Sequence, residues 1–280
     1  MSQAIAHITP ELRQWITSQV QSGQPALGLI DLMCASGWAA DVARVAVEQT
    51  LAAQGISWLP VAVPVPEPDL TESSTALTVD GHALSVLSQL RSPRVIVFGG
   101  LLSHAECDAI VASAAKRLAR SETVHTASGG NEVNPSRTSQ GMFFEREETD
   151  AIARVERRIA ALLRWPLDHG EGMQVLHYGP GAEYKPHHDY FDPVAPGTPA
   201  ILARGGQRVA SLVIYLNTPV AGGATVFPDV GLEVAPVKGN GVFFSYDRPH
   251  PITRSLHGGA PVLKGEKWVA TKWLRERVFT

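Results

Sequence analysis

A histidine and a carboxylate stand two residues apart in the run Pro186-His187-His188-Asp189. Side chains alternate between the two faces of a β-strand, so a strand here would place His187 and Asp189 together and His188 opposite. An imidazole nitrogen and a carboxylate oxygen on one face, completed by a distant histidine, form the facial triad of non-haem Fe(II) sites. The spacing indicates such a site. A strand-end histidine that forms only hydrogen bonds is the alternative that the motif leaves open.

A second group of candidate residues lies near the C-terminus. His257 stands in the glycine-containing stretch 256–261, which we interpret as a loop able to carry a further ligand over the strands. Lys267 opens a predicted strand that ends near Trp273, and one face of that strand carries Lys267, Val269, Thr271 and Trp273. If this face lines the inside of a barrel, the buried ammonium needs an anionic partner. A dicarboxylate cosubstrate would provide one.

These residues belong to several short blocks that follow one another along the chain. The blocks are Gln174-Val175-Leu176-His177-Tyr178, Tyr184-Lys185-Pro186-His187-His188-Asp189, Gly205-Gly206-Gln207-Arg208, Tyr215-Leu216-Asn217, Gly222-Gly223-Ala224-Thr225-Val226-Phe227-Pro228, and His257 followed by Lys267. With these blocks in this order, the chain from about Arg94 to the C-terminus resembles the prolyl 4-hydroxylase branch of the 2-oxoglutarate- and Fe(II)-dependent dioxygenases. Several linked blocks at consistent spacing arise by chance far more rarely than one motif.

The resemblance implies roles for individual residues. The Fe(II) ligands would be His187, Asp189 and His257. Lys267 would pair with the distal carboxylate of 2-oxoglutarate. Tyr178 and Thr225 would donate hydrogen bonds to this cosubstrate.

Three further residues fall where members of the family place the substrate groove: Tyr184, Arg208 and Trp273. Two of them have simpler alternative interpretations. Arg208 could be a solvated charge at a strand end, and Trp273 could be an aromatic residue of the core.

The resemblance also implies the reaction. Members of the family use Fe(II), 2-oxoglutarate and O2, with L-ascorbic acid as a possible accessory, and release succinate and CO2 as they hydroxylate proline in a peptide or protein. Asp189 is the carboxylate that related halogenases lack, so its presence favours hydroxylation. Two positions depart from relatives: where this chain has Ala224, relatives commonly have Glu, and where it has Arg275, some have His. Neither is a predicted ligand, so the departures bear on the substrate rather than on the chemistry.

Two other functions stay open from the sequence. A hydroxylase with the same chemistry could act on a free amino acid or another small molecule, because the groove residues do not define the substrate. A non-catalytic 2-oxoglutarate sensor or protein-binding module is the other alternative. The complete ligand set and Lys267 argue against a protein without activity.

Composition limits the partners and the compartment. The 280 residues carry a net charge of -3, which gives no indication of a nucleic-acid or anionic-membrane surface. The two cysteines, Cys34 and Cys107, have apolar neighbours and predict free thiols rather than a disulfide. The N-terminal residues lack the pattern of a signal peptide, so the expected location is cytoplasmic. The sequence specifies no oligomeric state.

The pattern along the chain predicts three segments. Residues 1–55 form a small helical module, with a helix start at Thr9-Pro10-Glu11 and further helices over about 26–36 and 39–53. Residues 56–76 are rich in proline and predict an extended linker.

Residues 77–280 form the Fe(II)/2-oxoglutarate dioxygenase domain. A strand over 94–98, helices from Ser103 and over 150–163, and then many short strands predict a mainly β fold, a double-stranded β-helix or jelly roll supported by helices. The stretch 121–140 is the expected substrate lid, with simple disorder as its alternative.

Overall fold

The computed structural model describes residues 8–56, 60–73, 75–120, 123–124, 131–132, 138–193 and 195–280. The chain divides into two compact units, Met1–Pro60 and Val61–Thr280. Most of the expected lid at 121–140 lies outside the described residues. None of the described helices combines the length and the apolar character needed to cross a membrane.

The first unit contains three helices, as the sequence predicted. They are α1 Pro10–Gln21, α2 Ala26–Ala35 and α3 Ala40–Ala52. The Thr9 hydroxyl accepts a hydrogen bond from the Leu12 amide at 3.2 Å and caps α1, and proline occupies the first helical position. Each helix contributes to one small apolar core, which includes Ile16, Leu29, Met33, Val47 and Leu51.

The proline-rich segment after Pro60 belongs to the second unit and is bound to the rest of it. The Val63 amide donates to the Asp247 carbonyl at 2.8 Å, and the Glu67 amide donates to the Leu163 carbonyl at 3.1 Å. Pro66 and Pro68 are buried. The limits of the linker at 56–76 stay a prediction.

The second unit is mainly β. Its described strands are β1 Ala76–Val79, β2 His82–Leu90, β3 Arg94–Gly99, β4 Ala119–Arg120, β5 Thr123–Val124, β6 Asn131–Glu132, β7 Gln140–Phe144, β8 Met173–Tyr178, β9 Tyr184–His187, β10 Arg208–Tyr215, β11 Ala221–Gly222, β12 Thr225–Phe227, β13 Leu232–Val234, β14 Gly241–Ser245, β15 His257–Gly259, β16 Val262–Lys264 and β17 Lys267–Arg275. Its described helices are α4 His104–Ala114, α5 Asp150–Leu163 and α6 Thr198–Ala203.

The strands form two sheets that face each other. The larger has nine strands in the order β1-β2-β3-β14-β10-β17-β8-β7-β4, and the smaller has four in the order β13-β12-β15-β9. Their ladders are antiparallel throughout the described residues. Together with the short ladders β11-β16 and β5-β6, this arrangement is the jelly roll with supporting helices that the sequence predicted.

Alternation along the strands divides the core into two layers. In β3, Ile96 and Phe98 pack in the layer that contains α4 and α5, whereas Val95 and Val97 pack between the two sheets. The inner layer also receives Phe227 from the small sheet. Because central strands such as β3, β10 and β14 bury apolar residues on both faces, the sheet can hold helices on one side and the second sheet on the other.

The two long helices cover the outer face of the large sheet. Ser103 and Glu106 form a capping box at the start of α4, the helix predicted from Ser103. Helix α5, which the sequence predicted over 150–163, begins after its cap Thr149 and buries the apolar residues Ile152, Val155, Ile159 and Leu162. This layer holds the large sheet in place under the site residues of β8, β10 and β17.

Candidate active site

Strands β9 and β15 bring two predicted ligands together on the small sheet. His187 ends β9, His257 begins β15, and the two are cross-strand partners whose ring centroids lie 4.4 Å apart. The sequence placed His257 in a loop, and that interpretation is wrong because the residue is part of an antiparallel ladder. The ladder, and not a movable loop, fixes the separation of the two imidazoles.

Asp189 completes the group from just beyond the end of β9. The strand stops at His187, so Asp189 lies in the bend that follows it. One carboxylate oxygen is 3.5 Å from His187 Nε2, and the other is 3.5 Å from His257 Nε2. His188 instead stacks on Tyr190 with ring centroids 4.6 Å apart. The expected directions of these side chains therefore hold, although the regular strand is shorter than expected.

The donor atoms of this group suit a metal ion. His187 Nδ1 lies 2.9 Å from the Lys185 carbonyl and His257 Nδ1 lies 3.0 Å from the Ser255 carbonyl. A backbone carbonyl can only accept, so each Nδ1 carries a proton, and in the neutral imidazole Nε2 then keeps its lone pair for a ligand bond. One donor atom from each of the three residues lies within 4.8 Å of the others. Two imidazoles and one carboxylate are the donor set of non-haem Fe(II) oxygenases.

The protonation states also match metal binding. Burial lowers the pKa of His257 to about 4, against the opposing effect of Asp189, so its imidazole is neutral at pH 7. Burial disfavours ionisation of Asp189, but the neighbouring His257, His187 and Arg208 outweigh it and hold the pKa of the carboxyl well below its ordinary value. A neutral imidazole and an ionised carboxylate are the ligating forms of these groups.

A cavity opens beside the three residues. Its lining includes all predicted site residues except Arg208, together with Leu176, Val213, Val269, Thr271 and the glycines Gly258 and Gly259. Residues Lys267, Val269, Thr271 and Trp273 face it from β17, as the alternation predicted.

Lys267 is a buried cation within this cavity. Lys267 is only 4% exposed, and burial lowers the pKa of its ammonium to about 8. Among the described residues it has no carboxylate partner within salt-bridge distance, and its Nζ lies 5.5 Å from the centre of the Tyr178 ring. Gly223, with φ of 75°, lies so near that a Cβ there would be 3.1 Å from Lys267 Cδ. The site thus leaves room for an anion beside a buried positive charge.

Thr225 has a defined hydroxyl direction. Tyr215 donates its phenolic proton to Thr225 Oγ1 at 2.8 Å, and both residues are buried. Because this oxygen already accepts one hydrogen bond, the Thr225 proton remains available to the cavity. Tyr215 was quoted in a motif, but the sequence gave it no role.

The three predicted groove residues have different surroundings. Tyr184 stacks on His187 with ring centroids 3.7 Å apart. Trp273 is 7% exposed, and its indole N–H has no acceptor among the described residues. Arg208 is half-buried and lies outside the cavity lining, with Nε and Nη2 donating to the two oxygens of Glu171 at 2.7 and 2.9 Å. Its guanidinium carbon lies 4.0 Å from the Trp273 ring centre, so it touches the groove through that ring.

Sequence reasoning missed three buried polar residues behind the ligands: Glu171, Ser211 and Tyr246. Glu171 binds both Arg208 and Arg275. Ser211 had a detectable signal, because a serine interrupts the apolar inner face of β10.

Comparisons with known proteins agree with this site. A model of the 2OG-Fe(II) oxygenase superfamily matches residues 173–275. The chain is 34% identical over 255 residues to "Probable prolyl 4-hydroxylase 7" of Arabidopsis thaliana, which covers 79% of this chain and 78% of that protein. It is 41% identical over 204 residues to "Prolyl 4-hydroxylase 1" of the same plant, covering 66% and 70% of the two chains.

A crystal structure of the viral collagen prolyl hydroxylase vCPH from Paramecium Bursaria Chlorella virus-1, in its 2OG complex, aligns with a TM-score of 0.49 and 29% identity over 65% of this chain and 95% of that chain. The superfamily match spans all nine predicted site residues. The two plant relatives extend the match over most of their own length. The chain therefore belongs to the prolyl 4-hydroxylase family of 2-oxoglutarate- and Fe(II)-dependent dioxygenases, and it is an enzyme that uses Fe(II), 2-oxoglutarate and O2.

Proposed function

We propose that this protein hydroxylates proline residues in a peptide or protein, with succinate and CO2 as the other products. The relatives named prolyl 4-hydroxylases support this substrate class. The observation that carries the proposal is the composition of the cavity: Asp189 is its only carboxylate among the described lining residues, and Trp273 presents an unpaired N–H donor beside it.

The metal would be held by His187, Asp189 and His257. Two observations support these three residues as metal ligands: Nδ1 of each histidine faces a backbone carbonyl, which leaves Nε2 for the metal, and the Asp189 carboxylate is ionised. The Tyr184 ring on one side of His187 limits rotation of that imidazole, as the Phe244 ring does for His257 at 4.4 Å. When bound, iron and 2-oxoglutarate activate O2 and supply the oxidising power that replaces a C–H bond by C–OH.

The cosubstrate would be anchored by Lys267, Tyr178 and Thr225. A buried ammonium without a counter-ion is costly, and the distal carboxylate of 2-oxoglutarate would neutralise it. The Thr225 hydroxyl would donate a hydrogen bond to the same carboxylate, while the hydrogen bond from Tyr215 holds that hydroxyl in place. These residues would hold the cosubstrate in one orientation and keep water from that end of the cavity.

The target would lie against Tyr184 and Trp273. A backbone carbonyl of an extended peptide would accept the Trp273 N–H, which otherwise stays buried without a partner at a cost of about 1–3 kcal/mol. Arg208 would act on the substrate through Trp273, because its Nε and Nη2 donate to Glu171, its Nη1 donates to the Asp189 carbonyl, and it does not line the cavity.

The charge balance favours a peptide over a free amino acid. A free amino acid brings an ammonium group that needs an acceptor, and the single carboxylate of the described lining is the proposed metal ligand Asp189. A peptide has no such charge at its internal proline, and a polyproline II segment loses little further entropy on binding.

The test is 2-oxoglutarate turnover with matched substrates. We expect succinate release to rise with a proline-rich peptide, and mass spectrometry to find a gain of one oxygen on proline. The same peptide with alanine for proline, and free L-proline, are the controls and should give much less turnover. Higher kcat/KM with a free amino acid would reassign the substrate, and binding of 2-oxoglutarate without any turnover would identify a sensor.

Two finer points belong to the same proposal. Ascorbate would sustain activity over many turnovers, which assays with and without it would test. The two cysteines, Cys34 and Cys107, are free thiols, which suits a reducing compartment such as the cytoplasm. Fractionation of cells that express the protein would test the location.

A further inference from the structure

A buried serine binds the carboxylate of Asp189 from the opposite sheet. Ser211 lies on β10, has no exposed surface, and its Oγ is 2.5 Å from Asp189 Oδ2. Its position on the strand places it on the inner face with Val213 and Tyr215. The contact therefore joins the large sheet to a residue that follows the end of β9 on the small sheet.

A tyrosine continues this contact. Tyr246 follows β14, is 2% exposed, and its phenolic oxygen lies 2.9 Å from Ser211 Oγ. Its backbone is fixed as well, because the Tyr246 amide donates to the Val209 carbonyl at 2.9 Å. Ser211 is thus held within β10 and Tyr246 is held at the end of β14, both in the large sheet.

The hydrogen-bond directions follow from the chemistry of the three groups. An ionised carboxylate only accepts, so Ser211 gives its single proton to Asp189. The serine oxygen can then only accept from the phenol, which makes Tyr246 the donor. The result is a chain of hydrogen bonds with one direction, from Tyr246 through Ser211 to Asp189, which we call the Tyr246–Ser211 relay.

The rest of Asp189 is also held. Its backbone carbonyl accepts from Arg208 Nη1 at 3.4 Å, and Arg208 is itself fixed by two hydrogen bonds to Glu171. The Asp189 carboxylate could still rotate, and the hydrogen bond from the Tyr246–Ser211 relay limits this rotation. Without the Ser211 proton, the second carboxylate oxygen would be left at 3.5 Å from His257 Nε2 with a lone pair free to compete for a metal.

We infer that Ser211 and Tyr246 are positioning residues for the metal centre, which hold one oxygen of Asp189 so that the other alone serves as a ligand. The inference rests on the proposed function, because it takes Asp189 as a ligand. Coordination through one oxygen of Asp189 would leave more positions on a bound iron for 2-oxoglutarate and O2. Groups that orient a ligand in this way typically change metal affinity by about 10- to 100-fold when they are removed.

The experiment measures metal binding without turnover. Co(II) is titrated anaerobically into the full chain and into Ser211→Ala, Tyr246→Phe and the double variant, in the absence of 2-oxoglutarate. We expect Kd to rise about 10- to 100-fold in Ser211→Ala and less in Tyr246→Phe. Because Tyr246 acts through Ser211, the double variant should bind no more weakly than Ser211→Ala. The visible absorption bands of bound Co(II) should change in the same variants.

Two matched controls remove buried hydroxyl groups outside the relay. Ser245→Ala alters a buried serine on the neighbouring strand β14, and Tyr215→Phe removes a phenol that donates to Thr225. Neither should change the Kd for Co(II). An equal effect of the controls, or an unchanged Kd in both folded relay variants, would overturn the inference. If Ser211→Ala does not fold, Tyr246→Phe decides alone, since it keeps the ring.

The same titration separates this inference from the proposed function. Loss of the metal site itself would appear as wild-type protein that binds no Co(II), or as a His187→Ala variant that binds as wild type does. Normal wild-type binding with no effect in the relay variants would reject the relay and leave the iron site in place.

Discussion

His187 and His257 are cross-strand partners in the ladder of β9 and β15, and their rings lie 4.4 Å apart. Two antiparallel strands therefore set the spacing of two metal ligands that are far apart in sequence. Asp189 reaches the same point from a bend, and the large sheet holds it through Ser211. The site lies where the two sheets meet.

The two adjacent histidines should differ in metal binding. His187→Ala removes a nitrogen that faces Asp189, whereas His188→Ala removes a ring that stacks on Tyr190. We expect Fe(II) binding, measured by anaerobic calorimetry, to be lost in His187→Ala and kept in His188→Ala. Equal loss of iron in the two variants would contradict the placement of these side chains.

Lys267 should control 2-oxoglutarate affinity. Lys267→Ala removes a buried cation with no described salt-bridge partner, and truncating a buried charge pair costs about 2–5 kcal/mol, or about 30-fold to several thousand-fold in the 2-oxoglutarate KM. Fe(II) affinity without cosubstrate should change little, which calorimetry can check in parallel. A variant with an unchanged KM would show that another group anchors the cosubstrate.

The pH dependence of that KM follows from the pKa of Lys267. Burial lowers this pKa to about 8 before the cosubstrate binds, so the anchoring ammonium is present below pH 8 and is lost as the pH rises through it. We expect KM to be nearly flat below about pH 7 and to rise up to about tenfold per unit above pH 8. Lys267→Arg stays charged and is the control. If the wild-type KM did not change with pH, cosubstrate binding would not depend on the protonation of Lys267.

Trp273→Phe should impair the peptide and spare the cosubstrate. The change removes an unpaired N–H donor in the cavity but keeps an aromatic ring near Arg208. Loss of one hydrogen bond of about 0.5–1.5 kcal/mol predicts a decrease of about 2- to 12-fold in kcat/KM for a proline-rich peptide. Trp165→Phe is the control, because its N–H donates to the Arg275 carbonyl. Similar peptide kinetics in the two variants would assign the Trp273 ring a packing role only.

Glu106 should stabilise the second unit in a pH-dependent way. Burial opposes its ionisation, but hydrogen bonds from Arg158 and Ser103 lower its pKa from 4.5 to about 2. Its contribution is therefore present above pH 4.5 and lost as the pH falls toward 2. Glu106→Gln should lower the free energy of unfolding by roughly 2–3 kcal/mol at pH 7, with a smaller difference at pH 3.

Urea denaturation across pH measures this difference. Glu147→Gln is the matched control, because the Glu147–Arg157 pair is about half exposed and pairs of that kind contribute little. A difference that does not vary with pH would show that Glu106 stabilises the unit through packing rather than through its charge.

The sequence determined features that depend on neighbours along the chain. Capping residues and apolar spacing predicted α1, α4 and α5, because helix ends and amphipathic faces are local properties. Period-two alternation predicted the inner face of β17 from Lys267 to Trp273. The linked motifs identified the family and the candidate ligands. Their assigned roles as ligands and anchors stay predictions.

The tertiary structure decided which distant residues meet. His257 belongs to a strand rather than a loop because its backbone bonds pair with β9, and no pattern within 256–261 encodes that partner. Arg208 lies outside the cavity lining because Glu171, from the segment before β8, accepts hydrogen bonds from its Nε and Nη2. Ser211 binds Asp189 only because two sheets are packed face to face. Local periodicity sets which face a side chain takes, whereas the packing of the sheets sets what that face touches.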